Sequence, residues 1–151
     1  MPQSLANIAI HVVFSTKNRK PWLQNEPLRS ELHGQLAATS GRMGCAALAV
    51  GGVEDHVHLL GRLVRTASVA DWIKELKRTS SLWIKRRDRR LAQFQWQAGY
   101  GAFSVSQSNV RAVVRYIENQ VAHHRTCGFQ DEYRMLLTRH QINFDERYVW
   151  D

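Results

Sequence analysis

Short apolar runs rich in β-branched residues recur along this chain and predict the strands of a sheet. Residues 8–14, 45–50 and 56–63 each form such a run, and each has the length of an ordinary strand. Gly51 and Gly52 follow the second run and predict a bulge or turn before the third.

Longer segments, in which apolar residues recur every three or four positions, alternate with these strands and predict helices. Asn25 precedes the first segment and Ser68 precedes the second, and both residue types are favoured at helix N-caps. A fourth strand is predicted within residues 94–105. The first 105 residues are therefore predicted to contain four strands and two helices.

A long helix is predicted after the fourth strand, capped by Ser106 or Ser108 and ended by Gly128. Its apolar stripe comprises Val110, Val113, Val114, Ile117 and Val121. A last short helix is predicted over about residues 132–139.

The predicted order is strand, helix, strand, strand, helix, strand, followed by the two later helices. This order is typical of the ferredoxin-like split βαβ fold. We therefore predict an α+β protein with an antiparallel sheet, its first helices on one face, and a C-terminal helix that carries Tyr116. The opposite face is left for a ligand, a partner subunit or the extra helices. No repeat or linker interrupts the pattern, so residues 1–151 are predicted to form a single domain.

The composition narrows the class of protein. The chain has 151 residues, of which 44% are hydrophobic, which is enough for a packed core. No stretch of about 18 uninterrupted apolar residues occurs, so no membrane span or membrane partner is predicted. Cys45 and Cys127 are too few for a disulfide framework and are not spaced as a zinc-binding pair. We expect a protein of the reducing cytoplasm.

The charge balance indicates a polyanionic partner. The 21 lysine and arginine residues exceed the 13 aspartate and glutamate residues, giving a formal net charge of +8. Nucleic acid is the commonest polyanion bound by small basic domains, and a basic surface that serves solubility is the alternative. The candidate phosphate contacts lie at the end of the second helix and in the turn after the first strand: Lys85, Arg86, Arg87, Arg89, Arg90, Lys17 and Arg19.

Two histidines are separated by one residue on the third predicted strand. Because side chains alternate along a strand, His56 and His58 point to one face and Val57 points to the other. Two imidazoles on one face can share a divalent metal ion. A strand face that is simply half polar is the alternative.

Tyr116 and Gln120 lie one turn apart on the long predicted helix. Each residue turns an α-helix by about 100°, so the two side chains are only about 40° apart around the helix axis. The pair lies at the flank of the apolar stripe. Alone, the pair is more typical of ordinary residues at an amphipathic edge than of a functional site.

The motifs DHVHLL, WQAGYGAFSVS and VVRYIENQ occur in this order, after an opening HVVFSTKNRKPWL. Together they resemble the single-tyrosine HUH transposases of small bacterial insertion sequences, whose relatives include the REP-associated tyrosine transposases. HUH denotes His, hydrophobe, His, which here is His56-Val57-His58. The resemblance implies that Tyr116 is the nucleophile and that Gln120 completes a metal site with the two histidines.

The resemblance also implies a reaction and its partners. The substrate is single-stranded DNA with hairpin ends, and the tyrosine forms a 5′-phosphotyrosine that is later rejoined without ATP. No P-loop sequence is present, so no nucleotide cofactor is predicted. A divalent ion, Mg²⁺ or Mn²⁺, is the implied cofactor. A homodimer is implied because two strand exchanges need two tyrosines, and Tyr116 could serve its own histidines or those of the partner.

Two other functions remain open at the level of the sequence. A related HUH enzyme acting as a domesticated nickase-ligase on chromosomal repeats has the same residues. A non-catalytic nucleic-acid-binding module could use the open face of a split βαβ sheet. The chain lacks the run of aromatic residues on a central strand that such modules use, which disfavours the second alternative.

Overall fold

Four strands pair into one antiparallel sheet in the computed structural model, which describes residues 1–151. The strands are β1 (Ala9–Ser15), β2 (Ala47–Gly52), β3 (His56–Arg62) and β4 (Gly101–Val105). Their spatial order is β2-β3-β1-β4, and every neighbouring pair is antiparallel. This is the strand order of the split βαβ sheet, so the predicted fold class is confirmed.

Five helices cover both faces of this sheet. They are α1 (Glu26–Arg42), α2 (Val69–Arg87), α3 (Val110–Glu118), α4 (Gln120–His123) and α5 (Phe129–Arg139). The first two pack on one face, and α3 and α5 pack on the other, so the extra helices occupy the face that the sequence left open. None of the helices combines the length and apolar composition that a membrane span requires.

The alternation of side chains along the central strands builds a separate apolar layer on each face. Val12 and Leu59 pack with the largest core cluster, against α1 and α2. Val13 belongs to the cluster under α5, and Leu60 belongs to the cluster under α3. The same alternation turns every second residue of β3, beginning with His56, toward the later helices.

The caps of the first two helices are those expected from the sequence. The Asn25 side chain accepts a hydrogen bond from the Leu28 amide at 2.9 Å, and Ser68 accepts one from the Asp71 amide at 3.0 Å. Each cap satisfies one backbone donor that has no partner within the helix. These local bonds fix where the chain enters α1 and α2.

The prediction of one long helix ending at Gly128 is wrong. The helix ends at Glu118, because Asn119 has φ −97° and ψ 18°, and α4 then adds a single short turn. The break changes which of two neighbouring side chains is buried. Gln120 is 1% exposed, whereas Val121, which was predicted to lie in the apolar stripe, is 48% exposed. The change in backbone direction at Asn119 therefore turns the Gln120 side chain inward.

Two smaller predictions are also wrong. Ser106 and Ser108 do not cap α3; their hydroxyls lie 3.2 Å apart and bond to each other, and the residue that precedes the helix is Asn109. Gly51 and Gly52 do not form a turn, because both continue β2 and pair with β3.

Helix α3 packs directly on the backbone of β2 at Gly51. A Cβ atom at this position would collide with the carbonyl oxygen of Ile117, which lies one residue beyond Tyr116. Only a residue without a Cβ allows this approach without a shift of the helix. Gly51 therefore sets the height of α3 above the sheet.

We expect Gly51→Ala to lower the free energy of unfolding by about 1–3 kcal/mol, the usual cost of overpacking. Gly34→Ala is the matched control, since a methyl group at Gly34 in α1 meets no atom within 4 Å. That variant should be more stable than the parent by about 0.5–1 kcal/mol, because alanine is favoured over glycine inside a helix. Urea denaturation followed by tryptophan fluorescence measures both values, and equal stabilities would contradict the close packing at Gly51.

Candidate active site

Two buried imidazoles lie on the β3 surface that faces the later helices. His56 and His58 have no exposed surface, and Val57 between them packs on the opposite face with the main core. Helices α3, α4 and α5 close over the pair and bring their own polar side chains to it. The resulting polar cluster is largely buried, with Tyr116 and His124 partly exposed at its edge.

The carboxylate of Glu132, on α5, lies at the centre of this cluster. Its Oε1 is 3.1 Å from Nε2 of His56 and 3.0 Å from Nε2 of both His58 and His124. The ligand atoms of these four residues all lie within 4.8 Å of one another. Three imidazole nitrogens therefore converge on one carboxylate oxygen.

The second oxygen of Glu132 contacts the tyrosine helix. The Tyr116 hydroxyl donates a short hydrogen bond to Oε2, and Nε2 of Gln120 donates another at 3.1 Å. The Oε1 atom of Gln120 lies 3.3 Å from Nε2 of His56. The sequence-predicted tyrosine, glutamine and histidine pair are thus brought together within one chain.

The far nitrogen of each β3 imidazole is also engaged. Nδ1 of His56 lies 2.7 Å from Oδ1 of Asp55, and Nδ1 of His58 lies 2.8 Å from Nε2 of His11 on β1. Such outer contacts fix the orientation of a ring and leave its Nε2 directed into the site. Asp55 and His11 therefore act as positioning residues for the histidine pair.

Burial and neighbouring charges set different protonation states for these rings. Burial lowers the pKa of His11 to about 3 and, against the opposing charge of Glu132, lowers the pKa of His58 to about 4. Burial also lowers the pKa of His56, but hydrogen bonds to Asp55 and Glu132 outweigh it and raise this pKa to about 9. Near neutral pH, His11 and His58 are neutral and His56 carries a proton that Glu132 balances.

Glu132 and Tyr116 are coupled in the same way. Burial favours the protonated form of Glu132, but hydrogen bonds from His124, His56 and His58 outweigh it and hold the pKa of the carboxyl well below its usual range. Burial, together with the hydrogen bond to Glu132, raises the pKa of the Tyr116 phenol above its usual value. The phenol is therefore the proton donor of this pair.

The donor set fits a divalent metal ion. Imidazole nitrogen and carboxylate oxygen are common ligands of divalent first-row metals, and a carboxamide oxygen is a further hard donor. Neutral imidazole is the form that binds a metal; His58 is already neutral near pH 7, whereas His56 would release its proton when an ion binds. The residues that could hold the ion are His56, His58, His124, Glu132 and Gln120.

The sequence pattern of the family described as "Transposase IS200 like" matches residues 4–120, which include the histidine pair, Tyr116 and Gln120. The chain belongs to the IS200-like transposase family. No curated protein is significantly similar to this transposase in sequence.

Two solved structures resemble the transposase in fold. One, from Deinococcus radiodurans R1, has been assigned as a transposase by inference; it is 23% identical, with a TM-score of 0.65 over 80% of this chain and 95% of the other. The second is a REP-associated tyrosine transposase bound to a REP hairpin, 14% identical, with a TM-score of 0.59 over 82% of this chain and 72% of the other. At these identities the likeness establishes a shared fold.

A cavity opens beside the Tyr116 ring of the transposase, between α3, α5 and β4. Its volume is ≈ 260 Å³, and Phe103, Asn109 and Arg139 are among the residues that line it. The half-buried Tyr116 is thus accessible from this side while its hydroxyl is held within the polar cluster.

The two cations predicted to contact phosphates in the turn after β1 lie at the end of the sheet that carries the polar cluster. Lys17 and Arg19 form a short 3₁₀ turn that follows Ser15, and Ser15 pairs with His56 across the sheet. The Arg19 guanidinium lies 5.6 Å from the centre of the Trp150 ring. These two cations therefore lie close to the end of β3 that carries the histidines.

The basic end of α2 lies in the other helical layer, so its cations are not part of the polar cluster. Two of them are paired: Arg87 with Glu31 at 2.7 Å and Arg90 with Asp88 at 2.9 Å. We call Arg87 and Arg90 the paired cations. The remaining three, which make no ion pair within the chain, are called the unpaired cations: Lys85, Arg86 and Arg89.

Four residues of the site were not predicted from the sequence: His124, Glu132, Asp55 and His11. For Glu132 the sequence does contain an indication. It lies on the buried stripe of α5, beside Tyr133 and one turn from Phe129 and Leu136. A carboxylate at a core position of a helix is costly unless it is paired or binds a metal. Glu132 is therefore expected to have a partner, although its position in the helix does not identify that partner.

Proposed function

We propose that this transposase cuts and rejoins single-stranded DNA at hairpin-flanked ends, with Tyr116 as nucleophile and a divalent ion as cofactor. One observation carries the proposal: the Tyr116 hydroxyl bonds to the same carboxylate that contacts both histidines of the HUH motif. A nucleophile next to a cluster that could bind a metal is an arrangement suited to phosphodiester cleavage by a tyrosine.

The proposed reaction exchanges one phosphoester bond for another. The Tyr116 oxygen forms a bond to phosphorus while the bond from phosphorus to the 3′ oxygen breaks. The phenol loses its proton and the departing 3′ oxygen gains one, which leaves a 5′-phosphotyrosine and a free 3′-hydroxyl. The number of phosphoester bonds is unchanged, so the reverse reaction on a new 3′ end needs no ATP.

The residues of the polar cluster have different proposed roles in this reaction. His56, His58 and Gln120 are proposed to hold the divalent ion, Mg²⁺ or Mn²⁺, and Asp55 and His11 orient the two rings. When bound there, such an ion would polarise the scissile phosphate and stabilise the negative charge of the transition state. Glu132 holds the Tyr116 hydroxyl at the edge of this cluster, so the nucleophile is oriented before DNA arrives.

A hairpin substrate is supported by the fold and by the charge of the chain. The REP-associated tyrosine transposase of similar fold is bound to a REP hairpin. A duplex stem is read largely through its phosphates, and the net charge of +8 suits such contacts. We propose that the unpaired cations, together with Lys17 and Arg19, supply part of this affinity.

We expect glutamine substitution of all three unpaired cations to weaken hairpin binding. The slope of the logarithm of affinity against the logarithm of salt concentration should fall by about 0.7–0.9 for each phosphate that is no longer bound by a cation. Glutamine substitution of the two paired cations is the control, since their guanidinium groups already bind carboxylates and should change the slope less. Fluorescence anisotropy at several salt concentrations measures both, and equal slopes for the two variants would refute the assignment.

We also propose that the active form is a homodimer. Joining two ends requires two nucleophiles, and each chain offers one tyrosine in the polar cluster. The edge strand β2 has unpaired backbone groups on its outer side, and pairing across a two-fold axis would satisfy them. Light scattering during size-exclusion chromatography measures the mass, and a monomer with full strand-joining activity would contradict the dimer.

The proposed chemistry is tested by trapping the covalent intermediate. The protein is incubated with Mn²⁺ and an end-labelled single-stranded oligonucleotide that folds into a hairpin flanked by unpaired DNA. We expect a labelled protein–DNA band on a denaturing gel, and peptide mass spectrometry should place the DNA on Tyr116. The assay is repeated with each hairpin found in the DNA that flanks the reading frame. If the protein binds these hairpins but never forms a covalent band, the non-catalytic nucleic-acid-binding module is favoured.

A further inference from the structure

Glu132 and His124 lie beyond the part of the chain that the family pattern matches, yet both reach the centre of the site. The match ends at residue 120, and α5, which carries Glu132, begins at Phe129. Both side chains nevertheless lie within 4.8 Å of the HUH histidines, measured between ligand atoms. Their place in the site therefore follows from the structure of this chain.

We propose that Glu132 and His124 are metal ligands and that Glu132 also positions the nucleophile. One carboxylate oxygen joins His56, His58 and His124 in holding the divalent ion, and the other oxygen holds the Tyr116 hydroxyl. The inference rests on the proposed metal-dependent function and extends it to two residues of the C-terminal region. The two carboxylate oxygens of Glu132 would then contact the metal ion and the nucleophile, respectively.

The contacts of the two carboxylate oxygens carry this proposal. Oε1 contacts only imidazole nitrogens, those of His56, His58 and His124, at 3.0–3.1 Å. Oε2 contacts the Tyr116 hydroxyl, with Gln120 beside it and Nε2 of His123 3.3 Å away. A carboxylate that served only to neutralise His56 would need one such contact, whereas here three nitrogens converge on the same oxygen. Convergence of nitrogen and oxygen donors is the arrangement expected of a metal site.

The environment of Glu132 supports the same conclusion. The side chain is fully buried, and an ionised carboxylate inside a protein is costly unless it is paired or coordinates a metal. A divalent ion would neutralise the carboxylate and take up the lone pairs of the imidazoles.

The enlarged ligand set also favours certain metals. Mg²⁺ prefers oxygen ligands and retains much of its water, whereas imidazole suits transition metals. With His124 included, three of the donors are imidazoles, so Mn²⁺ should bind more tightly than Mg²⁺. This sharpens the choice between the two ions that the resemblance alone left open.

The first test measures metal affinity directly, without DNA. Calorimetric titration of the full chain with Mn²⁺ should show affinity for Glu132→Gln reduced by at least about 10- to 100-fold. Asp131→Asn is the control: it removes the same charge from the neighbouring position of α5, where the carboxylate is exposed and pairs with Arg134. Unchanged Mn²⁺ affinity in Glu132→Gln, with Asp131→Asn also unchanged, would overturn the proposal.

The second test counts ligands and does not depend on the stability of one variant. Pulsed electron paramagnetic resonance of the Mn²⁺-loaded parent should detect three coordinated imidazoles, and His124→Ala should show two. Two imidazoles in both proteins would exclude His124. Circular dichroism identifies any variant that does not fold, and Glu132→Asp, which retains the charge on a shorter side chain, then replaces Glu132→Gln with the same expected reduction in affinity.

These tests separate the inference from the proposed function. If the covalent adduct on Tyr116 forms but Glu132→Gln and His124→Ala bind Mn²⁺ as the parent does, the function stands and the inference fails. If no adduct forms but both variants bind Mn²⁺ more weakly, the metal site stands and the proposed reaction fails.

Discussion

Tyr116→Phe should eliminate the covalent protein–DNA adduct and reduce cleavage by at least about 10³-fold, as removal of a nucleophile commonly does. The substitution removes only the hydroxyl oxygen, and with it the hydrogen bond to Glu132. Phenylalanine keeps the ring that packs against His11 and His58, so the fold of the site should be retained. Quantifying the labelled band on denaturing gels measures the effect.

Tyr133→Phe is the matched control for this substitution. Tyr133 is also a buried tyrosine, but it packs in the apolar cluster under α5 with Phe129 and Leu136. Removal of its hydroxyl should leave the adduct at the level of the parent protein. An adduct of undiminished yield in Tyr116→Phe would show that another group attacks the phosphate.

The sheet and the orientation of the histidine pair were predictable because both depend on local patterns. Strand length and the alternation of side chains are read directly from neighbouring residues, and the Asn25 and Ser68 caps are equally local. The alternation alone places His56 and His58 on one face of β3. The shared face of the two histidines was therefore predictable, whereas the helices that cover this face were not.

The rest of the site was not predictable because it depends on packing between distant segments. Glu132 meets His58 across 74 residues, through the packing of α5 on the sheet. No local pattern specifies which strand a C-terminal helix will cover. The charge on the buried stripe of α5 shows that Glu132 needs a partner, and only the three-dimensional structure shows that the partners are the HUH histidines.

The orientation of Gln120 has a different cause. A regular helix from Tyr116 onward would place Val121 in the apolar stripe, but the backbone changes direction at Asn119. A single asparagine lowers helix propensity only slightly, so its presence does not predict a break. The family resemblance nevertheless implied a place for Gln120 beside the histidines, because a sequence motif can be matched without knowing the backbone break, and Gln120 does lie 3.3 Å from His56.

His58→Ala should reduce cleavage by at least about 100-fold, in line with the removal of a metal ligand. Binding of the hairpin should change little, because phosphate contacts by cations on the surface supply most of the affinity. His58 is fully buried and its Nε2 contacts Glu132 at 3.0 Å, so its side chain is not on the surface that would bind a hairpin stem. Anisotropy and gel assays on the same oligonucleotide measure binding and cleavage, and parallel decreases in both would contradict a role limited to the chemistry.

Combining the two variants tests which chain supplies the nucleophile to each site. In this structure Tyr116 bonds to Glu132, which contacts His58 of the same chain. We therefore expect mixed dimers of Tyr116→Phe and His58→Ala chains, isolated through two different affinity tags, to stay inactive, since each site then lacks one needed group. If Tyr116 served the partner's histidines, one of the two sites would be intact and cleavage would return. Dimers of a parent chain with either variant chain are the control, because they retain a complete site under the arrangement seen here and must cleave.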